Sequence, residues 1–326
     1  MKVLITGITG FVGSHLAEYL LSLNHEVYGI YRWRSRMENI EGIVDDITLI
    51  NADIKDSHSI QKAFKEVKPD YCFHLAGQSF VKESWNSPSE TMSANILGTV
   101  NVLEAIRTEC PGCKIMLAGS SEEYGLVKPE ETPITESNDL RPMSPYGISK
   151  LALDKLGVMY HMSYGLHTVV TRAFNHEGPR RGDVFVTSNF AKQIALLEKP
   201  LWRGTPDYYH DAPPVMWVGN LEAKRDWTDV RDMVRAYWLA LFYGEPGEVY
   251  NICRGTAWSV QEMLDTLLSM TSLEIEIKQD PNRLRPADVP LLLGDCSKFW
   301  ELTHWYPTIS FEKMLKDMLD YWRERV

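Results

Sequence analysis

Two residues near the middle of the sequence, Tyr146 and Lys150, have the types and spacing needed for proton transfer. They are four positions apart in a stretch with helical periodicity, so they share one face of that helix. A phenol with an ordinary pKa of about 10 is a poor base at neutral pH, and a nearby ammonium group lowers that pKa. Tyr146 is therefore a candidate base that takes a proton from a hydroxyl while hydride leaves the same carbon.

A second pair, Ser120 and Glu122, follows an apolar run at residues 114–118 that predicts a β-strand. Ligands of doubly wound sheets bind beyond the carboxyl ends of the strands, so we expect both side chains in the same crevice as Tyr146. A hydroxyl can hydrogen-bond a reacting oxygen, and a carboxylate can act as an acid or a base. The alternative is a turn on which neither side chain has a chemical role.

A glycine-rich loop precedes the first predicted helix. Glycines at 7, 10 and 13 lie between a strand at residues 2–6 and a helix at 14–23, a pattern that lets the backbone approach a dinucleotide pyrophosphate. The predicted cofactor contacts in this loop are Gly7, Thr9, Gly10, Phe11, Val12 and Gly13.

The second predicted strand, residues 26–31, ends without the carboxylate that grips the ribose of NAD. Three arginines, Arg32, Arg34 and Arg36, follow it instead. Guanidinium groups match a 2′-phosphate in charge and geometry, so the sequence favours NADP over NAD. The alternative is a solvated basic loop. Asp53, after the third strand, is a candidate for the adenine amino group, although Asp is also a common turn residue.

The elements that must position these residues alternate regularly. Strands are predicted at 2–6, 26–31, 48–52, 71–75, 114–118 and 168–172, with helices at 14–23, 59–67, 93–107 and 146–164 between them. This order predicts an α/β fold, a Rossmann-type doubly wound parallel sheet. We expect an NADP-binding domain at 1–173 and a smaller C-terminal substrate-binding α/β domain at 174–326, with 215–250 returning to the Rossmann core.

Composition excludes several classes of function. The 326 residues carry a net charge of −10, which argues against a nucleic-acid partner. The absence of an apolar run of membrane-spanning length argues against a membrane protein. The five cysteines are an odd number with no visible export signal, which favours a cytoplasmic protein with reduced thiols. Cys110 and Cys113 have CxxC spacing, but no second half-site completes a metal centre, so no metal is expected.

At these residues the sequence resembles the extended short-chain dehydrogenase/reductases, within them the group of GDP-mannose 4,6-dehydratases and GDP-4-keto-6-deoxymannose reductases. The resemblance covers nearly the whole chain, and its most specific segment is 175–182. The other matching segments are 7–13, 74–79, 120–125, 146–150, 185–187, 219–221, 225–227 and 283–286.

The resemblance implies roles for further residues. It implies that the cofactor contacts also include Ile54, Leu75, Ala76, Gln78, Ser79, Lys150, His176 and Arg181. It implies that the contacts to a nucleotide-sugar substrate are Ser79, Glu122, Asn175, Lys192, Arg225 and Arg285. A GDP-hexose is expected on resemblance alone, and the long helices at 93–107 and 146–164 resemble those that pair in a homodimer or homotetramer.

In the dehydratase interpretation, Tyr146 removes the O4 proton during oxidation at C4, and Glu122 then removes the C5 hydrogen before water leaves C6. The alternatives are an NADPH-dependent reductase of the 4-keto-6-deoxy sugar, an epimerase or dehydratase of another nucleotide hexose, or a non-catalytic NADP-sensing scaffold. Two features favour the reductase: Ser120, where the dehydratases usually have threonine, and the segment 140–145. The segment 175–182 favours the dehydratase. The loop at 203–214 matches neither and is expected to be a lid.

Overall fold

The computed structural model describes residues 1–199, 213–284 and 289–326, and its centre is a parallel sheet of seven strands. In chain order the strands are β1 (Lys2–Thr6), β2 (Glu26–Tyr31), β3 (Thr48–Asn51), β4 (Tyr71–His74), β5 (Lys114–Ala118), β6 (Thr168–Ala173) and, much later, β10 (Val249–Ile252). Their order across the sheet is β10-β6-β5-β4-β1-β2-β3. The direction of winding reverses between β1 and β4, which is where doubly wound sheets bind ligands. This confirms the predicted fold class.

Helices cover both faces of this sheet because its strands are apolar on both sides. One face is covered by α1 (Phe11–Ser22) and α8 (Val230–Tyr243), which pack against strand side chains such as Ile5 and Phe73. The other face is covered by α2 (Ser57–Val67), α5 (Gly98–Glu109) and α6 (Pro145–Tyr164). Two hydrophobic cores therefore lie on either side of the strands and hold their carboxyl ends in place.

The remaining elements build a smaller α/β region with its own core around the buried Trp227. Strands β7 (Asn175–Glu177), β9 (Lys224–Asp229), β11 (Ala257–Ser259) and β13 (Leu291–Leu292) form one sheet, and β8 (Val215–Val218) pairs with β12 (Glu276–Gln279). The helices of this region are α7 (Val186–Glu198), α9 (Val260–Leu268) and α11 (Phe311–Arg323), whereas α10 (Ser297–Thr303) packs against β10.

The chain returns to the large sheet later than expected. Residues 215–229 belong to the small sheets, and the return is made by α8 and β10, which pairs with β6. The side chain of Asp229 caps α8 by accepting the Arg231 backbone N–H at 2.8 Å, and this cap marks the crossing point. The division into domains at residue 173 stays a prediction.

Two helix starts place residues at the sheet edge. Ser144 caps α6 by accepting the Gly147 N–H at 3.0 Å, and Pro145 occupies the first helical position, so Tyr146 lies in the first turn. The helical stretch predicted at 93–107 begins earlier, with α3 (Val81–Asn86) and α4 (Pro88–Met92), and contains a π-helical turn at Ser93–Leu97 before α5. Such turns occur often at functional sites.

Candidate active site

A cavity of about 500 Å³ opens beyond the carboxyl ends of β1, β2, β4 and β5, at the reversal point of the sheet. Sixteen of the eighteen residues predicted to contact the cofactor line it. They are Gly7, Thr9, Gly10, Phe11, Val12, Gly13, Arg32, Asp53, Ile54, Leu75, Ala76, Gln78, Ser79, Lys150, His176 and Arg181.

The glycine loop forms one wall of the cavity, and its backbone leaves little room for larger side chains at the glycine positions. Gly7 has φ +77°, the left-handed region that favours glycine, and its carbonyl accepts the Gly10 N–H at 3.0 Å. A Cβ on Gly13 would overlap the Gly7 carbonyl oxygen. The turn therefore brings bare backbone and the first N–H groups of α1 to the cavity, which is the arrangement that binds a pyrophosphate.

The arginines after β2 are divided by a tight turn. The Ser35 N–H donates to the Arg32 carbonyl at 2.8 Å, and this turn brings Arg32 and Ser35 to the cavity. Arg34 lies elsewhere, because its guanidinium carbon stacks 4.3 Å from the ring centroid of the exposed Trp33. Arg36 is 90% exposed and faces Glu38 at 3.9 Å. The structure thus brings one of the three predicted arginines to this cavity.

The loop after β4 is fixed by residues that the sequence analysis did not identify. The Thr6 hydroxyl accepts the N–H groups of Leu75 and Ala76 at 3.2 and 3.1 Å. Asn95, in the π-helical turn, accepts the Gln78 N–H at 2.8 Å and donates to the Ser149 hydroxyl at 2.9 Å. Asn95 therefore links the cofactor loop to α6, a link that depends on burial and on a π-helical turn that the sequence does not reveal.

The four predicted catalytic residues meet where this cavity joins a second one of about 320 Å³. Tyr146 lines both cavities, Lys150 lines the first, and Ser120 and Glu122 line the second. The Lys150 ammonium donates to the carbonyl of Ala118 at 2.6 Å and lies 5.8 Å from the Tyr146 ring centroid. Helix α6 and the turn after β5 therefore bring these groups together as the sequence predicts.

Burial dominates the electrostatics of this pair. It raises the pKa of Tyr146 to about 12, against a hydrogen bond with Ser120 and the charge of Arg181, which both lower that pKa. Burial also lowers the pKa of Lys150 to about 8. Desolvation of the phenolate therefore outweighs the effects of Ser120 and Arg181 among the protein groups.

The second cavity lies between the turn after β5 and the smaller region. Four of the six predicted substrate contacts line it: Ser79, Glu122, Asn175 and Arg225. Lys192 lies elsewhere, because it pairs with Asp183 at 2.6 Å and its ammonium lies 4.9 Å from the Trp322 ring. Arg285 and most of the loop at 203–214 lie outside the described residues.

Two further cations line the second cavity and were missed from sequence. Arg283 donates to the Asn189 side chain at 2.6 Å, and Lys82 donates to the backbone carbonyl of Asn282 at 2.7 Å. Arg283 stands two residues before the predicted Arg285, so the Arg-Leu-Arg-Pro segment itself contained the signal.

Arg181 lies between the two cavities and lines both. Its guanidinium carbon is 3.4 Å from the Phe185 ring centroid and 5.0 Å from that of Phe11, and its Nε is 3.4 Å from a Glu177 carboxylate oxygen. Beside it, His176 Nδ1 donates to the Phe174 carbonyl at 3.0 Å, and burial lowers the His176 pKa to about 4. His176 is therefore neutral at physiological pH.

The described residues contain no group of three or more His, Cys, Asp and Glu side chains suited to a metal ion. The five cysteines are free thiols. In the same ranges, the helices are all too short or too polar to cross a bilayer.

The chain belongs to the GDP-mannose 4,6 dehydratase family, whose model matches residues 4–318. A GDP-mannose 4,6-dehydratase from Vibrio cholerae is 34% identical over 98% of this chain and 92% of that protein. A GDP-6-deoxy-D-mannose reductase from Pseudomonas aeruginosa is 32% identical over 100% of this chain and 98% of that protein.

Solved structures share the fold over the whole chain. The protein named RMD from Pseudomonas aeruginosa, complexed with NADPH, has a TM-score of 0.83 at 31% identity and covers 100% of this chain and 99% of its own. A UDP-glucose 4-epimerase from Thermus thermophilus, complexed with NAD, has a TM-score of 0.85 at 29% identity and covers 100% of both chains. The fold is therefore that of the short-chain dehydrogenase/reductases, as the sequence predicts.

Proposed function

We propose that the protein is an NADP-dependent GDP-mannose 4,6-dehydratase that forms GDP-4-keto-6-deoxymannose. The observation that supports this best is the position of Glu122, which lines the second cavity together with Ser120 and Tyr146 and whose charge acts on the Tyr146 phenol. We assign this second cavity to the substrate. Dehydration must break the C5–H bond of the sugar, which requires a base at that place, whereas reduction of a ketone at C4 does not.

The cofactor cavity suits NADP. The glycine cradle admits a pyrophosphate, and Arg32 with Ser35 offers a cation and a hydroxyl where a 2′-phosphate would lie. When bound, NADP supplies a hydride acceptor and later returns the hydride, so the overall reaction is redox-neutral. The walls formed by Leu75, Ala76 and Tyr146 would hold its reactive end next to the substrate cavity.

The protein groups divide the proton transfers between them. Tyr146 takes the proton of the sugar O4, and the Ser120 hydroxyl hydrogen-bonds that oxygen. Glu122 then removes the C5 proton, which the neighbouring ketone has made acidic. Departure of hydroxide from C6 as water requires a proton, and Glu122 supplies the one that it took from C5. C5 must regain a proton when the C6 methyl group forms, and the proton that Tyr146 took from O4 balances this step. Arg225, Asn175 and Arg283 line the remainder of the cavity and suit the diphosphate.

Incubation of the NADP-loaded enzyme with GDP-mannose tests the proposal. NMR should show a new C6 methyl group without net loss of NADP. Glu122→Gln should retain the first oxidation but slow product formation by about 10²–10⁴. Tyr146→Phe should block even that oxidation. Glu130→Gln is the matched control, since Glu130 holds the same place in a second 3-10 turn and is exposed.

A reductase of the 4-keto-6-deoxy sugar is the second candidate. It is favoured by the relative from Pseudomonas aeruginosa, which matches this chain over 98% of its own length. In that case NADPH would be consumed stoichiometrically with the keto sugar, GDP-mannose would give no product, and Glu122→Gln would leave the reduction largely intact. We also propose that the protein is cytoplasmic and a homodimer or homotetramer.

A further inference from the structure

The carboxyl group of Glu123 lies behind the turn that carries Ser120 and Glu122, and Glu123 lines neither cavity. The side chain of Glu123 is fully buried, and its Oε1 accepts the backbone N–H of Ser120 at 2.7 Å. The Ser120 hydroxyl in turn accepts the Glu122 N–H at 3.2 Å. These reciprocal bonds form a capping box around the short 3-10 turn Ser121–Glu123. The backbone that presents both Ser120 and Glu122 is therefore held by Glu123.

The fit between this carboxylate and the neighbouring backbone is tight. A Cβ on Gly119 would lie 2.7 Å from Glu123 Oε1 and 2.9 Å from the Thr171 carbonyl oxygen. Gly119 lines both cavities and follows Ala118, whose carbonyl accepts the Lys150 ammonium. A shift of the Glu123 side chain would consequently move the backbone on which the catalytic groups depend.

A buried charge network anchors Glu123 from its other side. Arg172 Nε lies 3.4 Å from Glu123 Oε2, and the same guanidinium binds Asp154 at 2.9 Å. Arg172 also donates to the Tyr124 hydroxyl at 3.0 Å, which donates to Asn251 at 2.7 Å. The turn is thus tied through Glu123 to α6, β6 and β10, the rigid elements behind the site.

We propose that Glu123 is a positioning residue, which fixes Ser120 and Glu122 at the edge of the second cavity. The inference rests on the proposed function, because it assigns Glu123 a task in that chemistry. Burying a carboxyl group is costly, and an apolar side chain could fill the same space. A carboxyl group is retained here, and the residues whose backbone it holds line the cavity.

The role depends on the hydrogen bond and the packing of Glu123 rather than on a charge. Burial and the nearby Asp154 carboxylate raise the pKa of Glu123 to about 8, against Arg172, the Ser120 N–H and Lys150, which lower it. The carboxyl group is therefore largely protonated at neutral pH. Its Oε1 still accepts the Ser120 N–H in that form, so the turn is held in either protonation state.

Two variants test this role. Glu123→Gln keeps an oxygen to accept the Ser120 N–H, whereas Glu123→Leu removes it. We expect Glu123→Gln to retain most of the wild-type kcat, because it keeps the bond that holds the turn. We expect Glu123→Leu to lower kcat by about 10²-fold, the typical cost of a misplaced catalytic group. The NADP dissociation constant should change by less than about threefold in both, since Glu123 lies outside the cofactor cavity.

The matched control is Glu131→Gln. Glu131 accepts the Lys128 N–H at 2.8 Å at the start of a second 3-10 turn, so it repeats the bond that Glu123 makes to Ser120, away from both cavities. Thermal unfolding of all variants measures the purely structural effect, and Glu131→Gln should retain the wild-type kcat and pH profile.

Wild-type kcat in Glu123→Leu would overturn the inference, as would an equal loss in Glu123→Gln or in Glu131→Gln. If Glu123→Leu does not fold, Glu123→Asp decides, because its shorter side chain keeps the carboxyl group but draws it away from the Ser120 N–H, and wild-type kcat there would overturn the inference. The proposed function is judged separately on the wild type. If the wild type reduces the keto sugar instead, the same variants are compared in that reaction, because it also uses Ser120 and Lys150.

Discussion

Replacing Arg32 by alanine should abolish most of the preference for NADP over NAD. Among the three arginines after β2, only Arg32 lines the cofactor cavity in the described residues. We therefore expect its guanidinium group alone to bind the 2′-phosphate of NADP. A hydrogen bond to a charged group contributes about 1.5–3 kcal/mol. Arg32 is exposed to solvent, which places its contribution at the lower end of this range.

At about 1.4 kcal/mol per tenfold change in affinity, Arg32→Ala should weaken NADP binding roughly tenfold. Binding of NAD, which lacks the 2′-phosphate, should stay the same. The contact is screened by salt, because the Debye length falls from about 10 Å at 0.1 M to about 3 Å at 1 M. The wild-type preference should therefore shrink at high ionic strength, whereas the variant should show little salt dependence.

Calorimetric titration of both cofactors at two salt concentrations measures these effects. Arg34→Ala and Arg36→Ala are the matched controls, since Arg34 stacks on Trp33 and Arg36 faces Glu38. A full NADP preference in Arg32→Ala, or its loss in either control, would refute the assignment of the 2′-phosphate to Arg32.

Three further predictions concern the cofactor loop, the pH profile and assembly. Gly13→Ala should weaken NADP binding by about 10–100-fold, because forcing a methyl group into a packed site costs about 1–3 kcal/mol, and unchanged binding by titration would contradict the geometry of the loop. The rate should decline as pH rises through about 8, since burial lowers the pKa of Lys150 to about 8 and the lysine is charged only below its pKa. A rate that does not change up to pH 10 would exclude this role of the ammonium group. Light scattering should show a dimer or tetramer, because the exposed Ile148, Met159 and Met162 give α6 apolar surface for a second copy, and a monomer at micromolar concentration would contradict this.

The sequence predicted the large sheet well because its strands are buried on both faces and read as apolar runs. The six predicted strands are all present, each shifted by no more than one residue at its end. Strand β10 was not predicted from the sequence. It is short, comes about 75 residues after β6 in the chain and joins the sheet beside it, so no local pattern identifies its partner.

Site residues were predicted well where the backbone fixes their direction and poorly where loops do. Tyr146 and Lys150 follow from helical spacing, and Ser120 and Glu122 follow from a strand end. Alternation along the chain would have sent Arg32, Arg34 and Arg36 to the same side, but the turn that joins Arg32 to Ser35 breaks that alternation. Lys192 lies on α7, which lines the second cavity with Asn189 and Phe190, yet the nearby Asp183 pairs with its ammonium away from the cavity.

The electrostatics of the site could not have been inferred from residue types, because they depend on burial. In water a lysine and a tyrosine have similar pKa values, so a phenolate and an ammonium coexist at little cost. Burial separates these values, since it raises the pKa of Tyr146 to about 12 and lowers that of Lys150 to about 8, which favours the neutral form of both. The charge of Arg181, from another part of the chain, opposes this by lowering the pKa of Tyr146. The proton affinity of the catalytic pair therefore depends on burial and on residues distant in the sequence, neither of which the spacing of Tyr146 and Lys150 reveals.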